Sequence, residues 1–338
     1  MNYHDVTSTI LKKQYSWLIT GAAGFIGSNL VEELLNYNQI VFAVDNFITG
    51  KKENIECLES TNPLIFKNNF QFFELDLTDP SSISNLPRTD FILHQAALGS
   101  VPRSIKNPTD THNNNVTGFF NILEHARRIE VKSFTYASSS SVYGDNEQLP
   151  KVEGNEGYLL SPYAATKKIN ETYAQAFSNA YFIPTTGLRY FNVFGPRQDP
   201  MGEYAAVIPR WIEAVLRNQP IKIFGDGETS RDFCYVSNAV QANILSVFNQ
   251  SNKNLSRVFN VACGQKTSLN ELAKIIVNSI AKYIPNVSLE IEYDDFRHGD
   301  IKHSLADISS TKKELGYTPD KYIQDGMDAM IQKILGLS

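Results

Sequence analysis

Tyr163 and Lys167 stand four residues apart in the run Ser161-Pro-Tyr-Ala-Ala-Thr-Lys. That spacing puts both side chains on one face of a helix, with Ser161 suited to its N-cap and Pro162 to its first position. A free tyrosine, with a pKa of about 10, is a poor base at neutrality. A neighbouring ammonium favours its phenolate and turns the pair into a proton acceptor. A Tyr-x-x-x-Lys by itself is common on amphipathic helices, so its company decides. Upstream lie Ser138, Ser139, Ser140 and Ser141, at the end of a β-branched and aromatic run, where four hydroxyls are hard to justify as core.

A second constellation sits near the N-terminus. Gly21, Gly24 and Gly27 follow the run Trp17 to Thr20 and precede a helical pattern that begins at Phe25 and Ile26. Two glycines permit a tight turn with backbone close to a pyrophosphate, and the third lets helix and strand pack closely. The first amides of the helix then face the phosphates. Asp45 ends the next strand-like run, followed by Asn46; a carboxylate there accepts both ribose hydroxyls and repels a 2′-phosphate, which favours NAD over NADP. Asp76 and Leu77 are expected at the end of the following strand, and Ala96 and Ala97 at the end of the one after, beside adenine and the second ribose. An oxidised nicotinamide near Tyr163 adds a hydride acceptor to the proton acceptor.

The elements that must position these groups follow from periodicity. Strand-like runs at Trp17 to Thr20, Ile40 to Asn46, Phe70 to Leu77, Phe91 to Ala97, Phe134 to Ser139 and Thr186 to Val193 alternate with helical patterns at Phe25 to Leu35, Val116 to Arg128 and Tyr163 to Phe177. Such alternation predicts an α/β, doubly wound, mostly parallel sheet with its ligand site at the carboxyl ends of the strands. After about Asn192 the alternation fades into Gly, Pro and aromatic residues. The division expected is a dinucleotide domain over 1–192 that also receives about 233–262, and a smaller, interleaved domain over 193–338. Ser268 and Glu271 read as a capping box opening a helix that runs to about Tyr283.

Composition narrows the class. The 338 residues are 42% apolar and 20% charged, as expected of a soluble globular chain. A formal charge of -5 leaves no general basic field for a nucleic acid. Apolar runs are too short to span a bilayer, and Met1 to Ser16 lacks a secretory signal pattern, although Ile10 and Leu11 suit a short surface helix. Cys57, Cys234 and Cys263 lie far apart and the histidines form no ligand pattern, so neither a disulfide framework nor a metal site is expected. A reducing, cytoplasmic setting fits this usage.

Taken together, the Gly21 to Gly27 loop, Asp45, the serine cluster running into Val142-Tyr143-Gly144, the Tyr163/Lys167 pair and Leu188-Arg189-Tyr190-Phe191-Asn192 resemble the extended short-chain dehydrogenase/reductase family. Within it the chain is most similar to bacterial UDP-N-acetylhexosamine 4-epimerases, from about Trp17 to Gly326. The resemblance implies a Rossmann sheet with a C-terminal UDP-sugar-binding domain, bound NAD, and a homodimer formed by the helices containing Val116 to Arg128 and Tyr163 to Phe177. It implies Tyr163 as base, Lys167 as ribose ligand and tuner of Tyr163, Ser139 on the sugar 4-hydroxyl, Tyr190 on the cofactor and Asn192 on the diphosphate side. It assigns uridine to the segments of Ala206 and Val207 and of Lys222 and Phe224, the diphosphate to Arg231 and Arg297, and a ribose contact to Asp300.

Two departures refine the expectation. Related 4,6-dehydratases carry an Asp-Glu pair where this chain has Ser140 and Ser141, and hydroxyls cannot replace that acid and base. The UDP-galactose 4-epimerase of enteric bacteria has a tyrosine where this chain has Ser304, so a small residue leaves room for a 2-acetamido group. The loop Gly99-Ser100-Val-Pro-Arg103-Ser104 resembles that of the N-acetyl-preferring subgroup, with Ser100, Arg103 and Ser104 toward C6 of the sugar. The expected activity is NAD-dependent interconversion of UDP-GlcNAc and UDP-GalNAc for surface polysaccharide precursors. The alternatives are a 4-epimerase of the uronic acid UDP-GlcNAcA, whose carboxylate Arg103 would pair, and a non-catalytic NAD-binding sensor.

Overall fold

Because each β-branched run is followed by an amphipathic helix, the strands pair side by side through crossovers. A computed structural model describes residues 1–61, 63–200, 202, 205–250, 255–296 and 302–337. Its strands in chain order are β1 (Ser16–Thr20), β2 (Ile40–Asp45), β3 (Phe70–Glu74), β4 (Phe91–His94), β5 (Ser133–Ser139), β6 (Thr185–Tyr190), β7 (Val193–Phe194), β8 (Ile221–Phe224), β9 (Ser230–Arg231), β10 (Cys234–Tyr235), β11 (Ser256–Val261), β12 (Thr267–Ser268) and β13 (Ile291–Asp294). Seven form one sheet in the order β11-β6-β5-β4-β1-β2-β3. Every pairing in it is parallel. The order reverses between β1 and β4, the place where a doubly wound sheet opens a crevice.

Both faces of the sheet are covered. On one, Trp17, Ile19, Val41 and Phe91 pack with Leu30 and Leu34 of the helix Phe25–Asn36 and with Ile244 and Leu245 of the helix Val236–Phe248. On the other, Leu18, Ile92 and Phe134 meet Phe119 and Leu123 of Gly118–Arg128 and Ala174 and Phe177 of Pro162–Tyr181. A further apolar cluster, with Ile208, Trp211, Phe233, Ile276 and Met330, gathers the chain after Val207, and Phe25 and Ile26 pack against it. The helix Val236–Phe248 packs on the central sheet and β11 joins its edge. Among the described residues no helix is long and apolar enough to cross a membrane.

Several expected boundaries shift for local reasons. The third strand stops at Glu74, not Leu77, because Asp76 turns its carboxylate back to the Thr78 amide and hydroxyl, each at 2.8 Å. The fourth stops at His94, so Ala96 and Ala97 lie in the segment beyond it. Val116 to Arg128 is not one regular helix: a π-helical turn, Asn113–Thr117, precedes Gly118–Arg128. The helix at Ser268 starts with the expected capping box and ends at Ala281. Tyr3–Lys12 is helical, with Ile10 buried and Leu11 exposed.

Candidate active site

The turn at Gly21, with φ of +66°, brings backbone against backbone: a Cβ there would press on the amide of Ala96, and one at Gly27 would overlap the Gly21 carbonyl. Gly24 caps the helix Phe25–Asn36 without a side chain, leaving its first amides open to an anion. At the end of β2 the Asp45 carboxylate accepts from the amides of Ala23 at 2.9 Å and Phe47 at 2.8 Å. Burial pushes its pKa up, and those amides pull it back.

These groups rim a cavity of about 380 Å³ at the carboxyl ends of the strands. It is lined by Gly21, Gly24, Phe25, Ile26, Gly27, Asp45, Asn46, Leu77, Ala96 and Ala97, and at its other end by Ser139, Tyr163, Lys167, Tyr190 and Asn192. A bare glycine floor, open helix amides and a carboxylate at the β2 end fit a dinucleotide without a 2′-phosphate. Asp76 is exposed and does not line this cavity, its carboxylate being engaged with Thr78.

Tyr163 and Lys167 sit on the helix Pro162–Tyr181, whose N-cap Ser161 accepts from the Ala164 amide at 3.1 Å. The Lys167 ammonium lies 5.9 Å from the centroid of the Tyr163 ring and donates to the Ala137 carbonyl of β5 at 2.8 Å. Burial lowers Lys167 to about 8. Burial also raises Tyr163, and a hydrogen bond with Ser139 offsets part of that rise. Ser139 in turn accepts from the amide and hydroxyl of Ser141, at 3.1 and 2.9 Å. The remaining serines differ in role: Ser138 donates to Glu171 at 2.7 Å, and Ser140 and Ser141 lie outside the cavity lining. Glu171 is one turn beyond Lys167 and is gripped by Arg189 of β6 through two bonds of 2.8 Å, both side chains nearly inaccessible.

A second cavity, of about 510 Å³, shares Asn192 with the first in its lining. Its walls include Val207, Lys222, Phe224 and Arg231, together with Arg210, Trp211 and Phe233. Ala206 caps the helix Val207–Leu216 from outside the lining. Ser100 caps Val101–Lys106, accepting from the Arg103 amide at 3.2 Å, and the Ser104 hydroxyl donates to the Val101 carbonyl. Ser100, Arg103, Ser104 and Ser304 line neither cavity. Ser304 lies on a segment held to β9 by its own amide, which donates to the Ser230 carbonyl at 3.0 Å. Arg297 and Asp300 lie outside the described residues.

The fold adds residues that motif reading passed over. Gln95 Nε2 donates to Asn243 Oδ1 at 2.9 Å, Asn243 Nδ2 to the Tyr190 hydroxyl at 2.7 Å, and that hydroxyl to Gln95 Oε1 at 3.0 Å. The closed triangle satisfies the Tyr190 oxygen, so only one of the two tyrosines in the cavity is free to exchange a proton. Asn115, in the π-helical turn, donates to and accepts from the Leu98 backbone and also donates to Thr166 on the Tyr163 helix. π-Helical turns favour functional sites, and this one holds the cavity rim to the helix that carries Tyr163 and Lys167.

Comparison with known proteins places the chain in a family. Residues 17–262 match the model of the NAD dependent epimerase/dehydratase family. The chain is 36% identical over 315 residues to a putative UDP-glucose 4-epimerase of Methanocaldococcus jannaschii, covering 93% of this chain and 96% of that protein. The solved UDP-N-acetylglucosamine 4-epimerase of Methanobrevibacter ruminantium, in complex with UDP-N-acetylmuramic acid, superposes with a TM-score of 0.85 at 36% identity, covering 96% of this chain and all of that one (100%). The UDP-glucuronic acid 4-epimerase of Bacillus cereus, in complex with UDP-glucuronic acid and NAD, gives 0.80 at 30% identity, with coverage of 96% and 100%. The chain belongs to the NAD-dependent epimerase/dehydratase family.

Proposed function

We propose that the protein is a UDP-sugar 4-epimerase that interconverts UDP-GlcNAc and UDP-GalNAc through a transient 4-keto sugar. The observation that carries this reading is the adjacency of two cavities that share Asn192, one lined by Ser139, Tyr163 and Lys167 and the other by Lys222, Phe224 and Arg231. A nucleotide anchored in the second cavity presents its sugar to the first. In this reading 1–192 and 233–262 hold the dinucleotide, and the rest of 193–338 holds the nucleotide.

NAD, which Gly21, Gly24, Gly27 and Asp45 would hold, would supply a reversible hydride acceptor for C4 of the sugar. Ser139 orients the 4-hydroxyl, and Tyr163 removes its proton as the C4–H bond breaks. Lys167, protonated below about 8, stabilises the phenolate. The keto sugar then turns about its link to the diphosphate, held by Arg231, whose guanidinium binds phosphate oxygens as a fork. Tyr163 returns the proton to the new 4-alkoxide, so no net oxidation occurs. Ser140 and Ser141 provide no acid-base pair for dehydration.

The acetamido preference is supported by the M. ruminantium relative. The uronic alternative is supported by the glucuronate-binding relative. Exposed Phe120 and Tyr173, packed edge to face across the two outer helices, support a homodimer through that surface. The purified protein should convert UDP-GlcNAc to UDP-GalNAc, read by chromatography, without added NAD. Conversion of UDP-GlcNAcA alone would select the uronic reading, and conversion of no UDP-sugar would leave the sensor.

A further inference from the structure

Asp232 contributes to neither cavity lining and is fully buried. Its carboxylate accepts from three amides on two distant segments: Cys263 at 2.9 Å through Oδ1, and Gly264 at 3.0 Å and Ala306 at 3.3 Å through Oδ2. Its neighbours Arg231 and Phe233 line the second cavity, and its own carbonyl accepts from Asn192 Nδ2 at 3.3 Å. The Cys234 amide returns a bond to the Asn192 carbonyl at 3.3 Å. Ala306 belongs to the segment that carries Ser304. That segment is tied on one side to Ser230 of β9 and on the other to Lys151, through Lys151 N to Leu305 O at 2.7 Å and Asp307 N to Lys151 O at 2.9 Å.

The arrangement is unusual in its cost. Burial pushes the Asp232 pKa up to about 6 even though three amides favour its charged form. A neutral side chain would avoid that penalty but would not offer two acceptor oxygens to amides converging from two directions. We propose that Asp232 is a positioning residue for substrate: it locks the segment 302–307 and the turn 263–264 onto the stretch from β9 to β10, which carries Arg231 and bonds Asn192, and so sets both toward the nucleotide diphosphate. This inference rests on the UDP-sugar reading above and assigns part of its binding geometry to a residue that touches no ligand. Its effect falls on nucleotide binding and not on hydride transfer, because Tyr163, Lys167 and Ser139 belong to other elements.

Asp232→Asn keeps the volume but replaces one acceptor oxygen with an amide that faces backbone N–H groups. Calorimetry with UDP should show its Kd rising about tenfold or more, with KM for the sugar nucleotide following and kcat held within about threefold. The dinucleotide carried per chain should equal that of the wild type. Unchanged UDP affinity in a folded variant, or parallel loss of kcat and dinucleotide, overturns the inference. If the variant does not fold, hydrogen exchange on the wild type decides: UDP should slow exchange at the amides of Gly264 and Ala306, and unchanged exchange there overturns it. Failure of the wild type to bind UDP would instead remove the UDP-sugar reading itself.

Discussion

At the scale of the residue, two tyrosines share one cavity and their hydrogen bonds distinguish them. Tyr190 has its oxygen saturated by Gln95 and Asn243, whereas Tyr163 meets Ser139 and faces Lys167. Tyr163→Phe should therefore lower kcat by about a hundredfold or more while leaving nucleotide-sugar affinity nearly unchanged. The wild-type pH profile follows from signs. Tyr163 lies above its ordinary value, so its basic form grows as pH rises, while Lys167 loses its proton above about 8. The rate should climb toward about pH 8 and fall beyond it, and Lys167→Met should remove the falling limb. A flat profile would contradict the assignment. Tyr163 and Lys167 were legible because their relation is local, one helical turn apart. Asn243 was not, since its partner Gln95 is 148 positions away and only the sheet brings them together. Asp232 is hidden for the same reason: its acceptors' partners lie on segments that meet only after folding.

At the scale of the element, the site depends on how strands end and helices begin. The glycine turn was readable because only glycine permits both the left-handed backbone at Gly21 and the contact of Gly27 with the Gly21 carbonyl. Gly27→Ala should force the helix Phe25–Asn36 away from β1, at a cost of about 1 to 3 kcal/mol in stability. The variant should also purify with little dinucleotide, measured after denaturation, because the helix amides no longer meet the phosphates. Retention of cofactor at the wild-type level would show that the turn has other room to adjust. Strand termini were less legible. Phe70 to Leu77 keeps apolar residues through Leu75 and Leu77, but the Asp76 side chain competes for backbone donors and ends the ladder early. The π-helical turn at Asn113–Thr117 was likewise invisible, because its cause is the pairing of Asn115 with the distant Leu98 backbone.

At the scale of the whole molecule, the doubly wound sheet was legible from alternation alone, and its carboxyl edge located the cofactor cavity. The adjacency of two cavities at Asn192 was not, since it requires the chain to leave the sheet after β6, build the second apolar cluster and return as β11. That adjacency is the basis of the functional account: a nucleotide held in one cavity and a proton-exchanging tyrosine in the other, with a hydride that leaves and returns within one site. UDP-GlcNAc carrying deuterium at C4 tests this most directly. Incubated in ordinary water with the purified protein and no added dinucleotide, it should yield UDP-GalNAc that keeps deuterium at C4, read by NMR. Absence of UDP-GalNAc, or UDP-GalNAc carrying hydrogen from water at C4, would contradict the account.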